Sequence, residues 1–247
     1  MNRPLIFTLA AFAGALILVG VFFVYVLLAS RHAQYWQGEV AAFERTDISN
    51  PPQKGVLVFV GADYIRLWPS PEADMAPYAI ISRGLGGAQI SHLAYYADRL
   101  INVHEPRAVV ISAGIADLSD VGSMRAEDVF ARFLDFFDAV RSDGRKPRIY
   151  VLALPQPPLK KRYWPLIRAL NHMLAEYAAN AKDIYFVDVA TPMLTRSGEP
   201  RAHFFRWDGF HLNDEGYRLW ARVLRASLEE SEQPPFPSSF VPASPSG

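Results

Sequence analysis

Runs of apolar residues set the outline of the chain. Leu5 to Leu28 (LIFTLAAFAGALILVGVFFVYVLL) carries no charge over 24 residues and is flanked by Arg3 and by Arg31-His32. About 20 apolar residues cross the hydrocarbon core of a bilayer, so this run is long enough to span with some tilt. It reads as a retained anchor. A cleaved signal peptide, with its shorter apolar region and small-residue exit, and a buried core helix are the rival readings. Leu28-Ala29-Ser30 makes a poor exit site.

Farther on, short apolar runs alternate with helical patterns. Gly55–Val60, Tyr78–Ile81, Ala108–Ser112, Arg148–Ala153 and Ile184–Val189 read as buried strands. Between them, Ile90, Leu93, Ala94, Ala97, Leu100 and Ile101 recur at helical spacing, as do Val129, Phe130, Phe133, Leu134, Phe137 and Val140. A further helix covers about 162–179, and a last one starts after Asn213, a good N-cap, and runs to about Glu230. Such alternation predicts βαβ units, hence a three-layer α/β/α sandwich around a five-stranded parallel sheet, preceded by one transmembrane helix. The expected organisation is an anchor over 1–30, a juxtamembrane linker or short helix over 31–54, a folded domain over 55–230 and a Pro/Ser-rich tail over 231–247. That tail reads as extended and mobile, with a docking peptide as the alternative.

Composition removes several function classes. Lys+Arg and Asp+Glu number 25 each, and no basic run is interleaved with aromatics, so nucleic acid is excluded as a partner. There is no cysteine, which removes disulfides, thiolate metal sites and thiol catalysis. No cofactor is called for.

In an open parallel sheet ligands bind beyond the carboxyl ends of the strands. The segments there carry a resemblance. Gly61-Ala62-Asp63-Tyr64-Ile65-Arg66-Leu67-Trp68 resembles the first block of the SGNH (GDSL-type) hydrolases, in the subgroup that writes it G-S-S-S-I-R-L-W. Ser82-Arg83-Gly84-Leu85-Gly86-Gly87 resembles the second block, N-R-G-F-G-G, and Ala113-Gly114-Ile115-Ala116-Asp117 the third, A-G-x-N-D. Asp208-Gly209-Phe210-His211-Leu212-Asn213 resembles the last, D-G-x-H-L-N. The match covers about residues 55–228 in order, and implies the flavodoxin-like SGNH fold with Gly61, Gly87, Ala116 and His211 converging at one sheet end.

The resemblance also implies the roles. Asp208 and His211 form the acid–base dyad, and Gly87 donates an oxyanion N–H. The nucleophilic serine position holds Asp63, and the oxyanion asparagine position holds Ala116. An enzyme of the ester-hydrolase type is therefore left open. Asp63 is expected to lie against His211 as an ion pair, raising the histidine's pKa. Substitute nucleophiles are Tyr64, Asp63 itself, Ser82 and Ser91. Asp63, Asp117, Asp208 and His211 gathered as a metal site is a further alternative. Lys160-Lys161-Arg162 beside Tyr163 and Trp164 reads as a solvated loop or an anionic glycan or headgroup contact. Trp68 and Trp207 read as core or rim packing, or as a sugar platform. His104, His172 and His203 read as ordinary histidines.

Two function classes stand at this stage. One is a membrane-embedded binding or assembly component at the cell envelope, with a protein partner or a glycan or lipid ligand and a degenerate site. The other is an active esterase, deacetylase or acyltransferase on envelope carbohydrate or lipid. The expected location is the inner membrane, single-pass, with the C-terminal domain on the periplasmic side.

Overall fold

The computed structural model describes residues 3–119 and 125–231. Chain order is α1 (Arg3–Ala29), α2 (Gln37–Ser49), β1 (Leu57–Gly61), α3 (Asp63–Arg66), α4 (Pro71–Asp74), β2 (Ile80–Gly84), α5 (Ile90–Tyr95), α6 (Ala97–Leu100), β3 (Ala108–Ser112), α7 (Ile115–Leu118), α8 (Ala126–Val140), β4 (Arg148–Leu152), α9 (Trp164–Asn180), β5 (Ile184–Val187) and α10 (Asp214–Ser231). All strand pairs are parallel, in the order β2-β1-β3-β4-β5. The expected five-stranded α/β/α sandwich is the fold. Strands β1 and β3 are buried at every position because helices cover both faces, which is why they read as unbroken apolar runs.

Right-handed crossovers place α5, α6, α8 and α9 on one face, where α5 packs on α8 and α8 on α9. Helix α10 returns to the other face and touches α4 and β5. Its start is set by Asn213, whose Oδ1 accepts the N–H groups of Glu215 and Gly216 at 3.0 and 3.1 Å.

Several bounds differ from the expected ones for local reasons. Strand β2 starts at Ile80 rather than Tyr78, because the Tyr78 N–H closes a turn on Met75 O. Strand β5 stops at Val187, where Asp188 Oδ1 accepts the N–H groups of Ala190 and Thr191. The single helix expected over 90–101 bends at Tyr96 (φ −99°, ψ 11°) and divides into α5 and α6.

Helix α1 contains a stretch, Phe12–Ala29, long and apolar enough to cross a membrane, with none of it buried against the body. The segment after it is more than a connection. Trp36 and Val40 are fully packed in the core, and α2 lies along the body beside α6. Glu44 grips Arg99 with two hydrogen bonds of 2.6 and 2.8 Å. Asp47 binds the buried Arg83 guanidinium at 2.5 Å, with His104 3.5 Å away on its other oxygen. The tail over 232–247 lies outside the described residues.

Candidate active site

Strand β1 ends at Gly61 against the end of β3. A Cβ there would come within 2.2 Å of Ser112 O, so only glycine permits this approach. The chain then turns directly into α3, anchored by the Ala62 N–H on Ser112 O at 3.0 Å. This turn presents Asp63, half-buried, toward the loop after β2. Gly87 in that loop has φ +71°, a conformation other residues rarely adopt. Its N–H donates to Asp63 Oδ1 at 3.0 Å. The carboxylate therefore sits on the donor that the resemblance assigns to an oxyanion.

The loop before α10 supplies the other half. Asp208 Oδ1 accepts the N–H groups of Phe210 and His211 at 2.8 and 2.9 Å, and Oδ2 pairs with His211 Nδ1 at 2.7 Å. Nδ1 thus donates, and Nε2 is left as the ring's possible acceptor. Burial pushes the Asp208 carboxyl up, but the His211 hydrogen bond and the two backbone N–H groups outweigh it and hold the pKa at about 2. Both side chains are about a quarter exposed. Tyr64 braces this loop. Its ring is buried against Trp220, and its hydroxyl donates to Phe210 O at 3.0 Å. Burial raises its pKa well above the usual phenol value, and its hydroxyl is engaged on the backbone of the His211 loop.

Residues of the first, third and last blocks share one cavity, and the second block joins them through the Gly87 N–H on Asp63. Ala62, Asp63, Tyr64, Ala116 and Phe210 all line one cavity, with a volume of about 10 Å³. That is room for roughly one water, against several hundred Å³ for an ordinary ligand pocket. Ser112 also lines it, and its buried hydroxyl has no hydrogen-bond partner. Nothing in the one-dimensional pattern singles out this serine, which reads as the last apolar-strand position.

The geometry corrects one expectation and decides against two of the alternatives. Asp63 turns to Gly87, not to His211: among the described residues no ion pair joins it to the imidazole, which is held by Asp208. The reason is local, since the Gly87 N–H faces the turn that carries Asp63 while Asp208 already occupies His211 Nδ1. Asp117 does not join a metal cluster. It is fully buried, accepts from Arg132 at 2.7 Å and from the Ile90 N–H, and ties α7 to α8 and α5. Among the described residues no group of three or more His, Asp or Glu is arranged to hold a metal ion. Trp68 is not a sugar platform. It is buried, stacks on Tyr217 with centroids 5.1 Å apart and donates to Asp74.

Other candidates fall outside the centre. Ser82 lines a groove of about 500 Å³ between α2 and the turn at Arg66, which includes neither Asp63 nor His211. Ser91 is exposed on α5. His104 is buried beside Arg83, and burial together with that guanidinium lowers its pKa. Two contributors were missed in the sequence. Trp36 donates Nε1–H to Gly86 O at 3.1 Å, and Glu39 pairs with Arg66 at 3.0 Å through both oxygens. Both brace the glycine loop from α2 and its approach. The signal was present as Trp36, Val40 and Phe43 at helical spacing.

Comparison with known proteins gives the same frame. The model of the GDSL-like lipase/acylhydrolase family matches residues 31–219. None of the curated proteins compared matches the chain. A structure from Streptococcus pneumonia, provisionally described as a platelet activating factor, aligns with a TM-score of 0.68 at 18% identity, covering 86% of this chain and 98% of that one. A GDSL-like lipase from Bacteroides thetaiotaomicron aligns with a TM-score of 0.65 at 20% identity, over 82% of this chain and 100% of that one. A family 3 carbohydrate esterase from Clostridium thermocellum aligns with a TM-score of 0.54 at 18% identity, over 70% and 94%.

Proposed function

Because the chain belongs to the GDSL-like lipase/acylhydrolase family, we propose that it is a membrane-anchored member whose hydrolytic centre is degenerate, and that it acts as a binding or assembly component at the cell envelope. The observation that carries this reading is the 3.0 Å hydrogen bond from the Gly87 N–H to Asp63. Ester hydrolysis by a serine route needs a hydroxyl at position 63 and empty donors for the developing oxyanion. Here one carboxylate removes the hydroxyl, holds the donor and adds a negative charge where another must form. Ala116 supplies no side-chain donor. Loss of one such donor alone costs about 10²–10³ in rate. Attack by Asp63 on an ester would yield an anhydride, a poor route for turnover.

The helix α1 supports single-pass anchoring, and we place the body on the extracytoplasmic side, because a large domain following such an anchor is the part usually translocated. A cysteine replacing exposed Val103 in this cysteine-free chain should then react with an impermeant thiol reagent before cell lysis. Labelling only after lysis would reverse the orientation.

One observation favours the active alternative: the Asp208–His211 pair is intact, with its carboxylate held ionised. Hydrolysis of short acyl esters by the full chain in detergent separates the readings. The degenerate site should give a rate near background that His211→Ala leaves unchanged. Robust turnover abolished by His211→Ala would establish the hydrolase.

A further inference from the structure

Two features that the proposed function does not use meet at the carboxyl end of the sheet. The first is the path of the chain. His92 Nδ1 accepts the Gln89 N–H at 3.1 Å, so Nε2 carries the proton and donates to Arg31 O at 3.2 Å. The body therefore holds the backbone at Arg31, two residues beyond the end of α1. Trp36 follows, its ring tilted against His92 with centroids 4.5 Å apart and its Nε1–H bonded to Gly86 O. Helix α2 then runs toward the amino end of the sheet, where Asp47 meets His104 just before β3. The apolar helix thus leaves the body beside the Gly86-Gly87 loop, at the candidate site. The seven residue steps from Ala29 to Trp36 can separate them by at most about 25 Å.

The second feature is the opposite rim of the same site. Trp207 is 99% exposed and Leu159 65% exposed. Trp207 directly precedes the Asp208–His211 loop, and the Leu159 N–H is bonded to Gly209 O of that loop at 2.9 Å. Lys160 Nζ lies 5.6 Å over the Phe210 ring, Lys161 Nζ 5.1 Å over Trp164 and Arg162 4.6 Å over Tyr163. The acid facing this cluster is Glu199, 3.6 Å from Lys161. A bare tryptophan beside cations and an exposed leucine has the composition of a bilayer interface, where indole rings sit at headgroup depth and Lys/Arg meet anionic lipid.

We infer that the carboxyl end of the sheet rests on the anionic bilayer that holds α1, with Trp207 and Leu159 in the interface and Lys160, Lys161 and Arg162 on lipid headgroups. The candidate site then opens onto the membrane surface, and its ligand is one carried by the bilayer. This rests on the anchored reading above. Each basic residue near an anionic surface multiplies its affinity about fivefold, so the three together shift docking by about 100-fold.

The test uses full chain in phosphatidylcholine vesicles with or without phosphatidylglycerol and a lipid-attached quencher. Single cysteines, Trp207→Cys, Leu159→Cys and, at the far end of the sheet, Val103→Cys, carry the fluorophore. Labels at 207 and 159 should be quenched in anionic vesicles and the label at 103 should not. Omitting phosphatidylglycerol, or replacing Lys160, Lys161 and Arg162 by Glu, should remove most of that quenching. Equal quenching at all three positions, or quenching indifferent to both changes, overturns the inference. An alkaline wash of the same vesicles separates the two readings. Release of the chain overturns both, whereas a retained chain with position 207 in water overturns this one alone.

Discussion

A carboxylate and a hydroxyl at position 63 occupy the same turn but ask opposite things of Gly87. A serine there would leave the Gly87 N–H free for a reacting oxygen; Asp63 binds it in the resting state. Asp208 shows how the partner residue is held. Its folded-state pKa of about 2 lies below the ordinary 3.8, so protonation opposes folding. The sign follows: the stabilisation is present above pH 4 and is lost as pH falls from about 4 through 2. Allowing for partial exposure, it amounts to about 1–2 kcal/mol. Asp208→Asn should therefore lower the urea midpoint at pH 7, and that difference from wild type should shrink to a small fraction near pH 2. An equal deficit at both pH values would show that Asp208 contributes by packing alone. At this scale the sequence was legible as identity and not as direction. Position 63 could be seen to carry an acid, but rotamer and hydrogen-bond choice decide between Gly87 and His211, and spacing contains neither.

Among the elements, the strands were the most readable, since burial on both faces demands continuous apolar runs. The segment over 31–54 was the least. Its polar average suggested a linker, while its few apolar positions, Trp36, Val40 and Phe43, point one way and are covered by the body. Its charges, which made it look solvated, are spent on Arg66, Arg99 and Arg83. Helix α2 is thus part of the folded unit and a brace for the glycine loop. Trp36→Ala should destabilise the chain by about 3–5 kcal/mol, as for truncating a buried tryptophan. Trp36→Phe keeps much of the bulk but leaves Gly86 O without its donor, and should cost about 1 kcal/mol. Denaturation midpoints of the two variants check this; a neutral Trp36→Ala would mean that α2 is not held to the body.

Viewed as one molecule, the chain joins an apolar helix, long enough to cross a membrane, to an α/β sandwich, and the body holds the chain at Arg31, just after that helix. Four blocks in order and spacing made the fold readable without coordinates. The small cavity was not readable, because its volume depends on how Phe210, Tyr64 and Leu154 pack across three loops. The central claim is that Asp63 and Ala116, and not a rebuilt frame, are what silence the centre. Intact-mass analysis after exposure to a serine-directed phosphonate tests it directly. Wild type should gain no phosphonyl group, while Asp63→Ser combined with Ala116→Asn should gain one at position 63, and lose that reactivity again with His211→Ala. Labelling of wild type, or a double variant that folds yet stays unlabelled, would contradict the account.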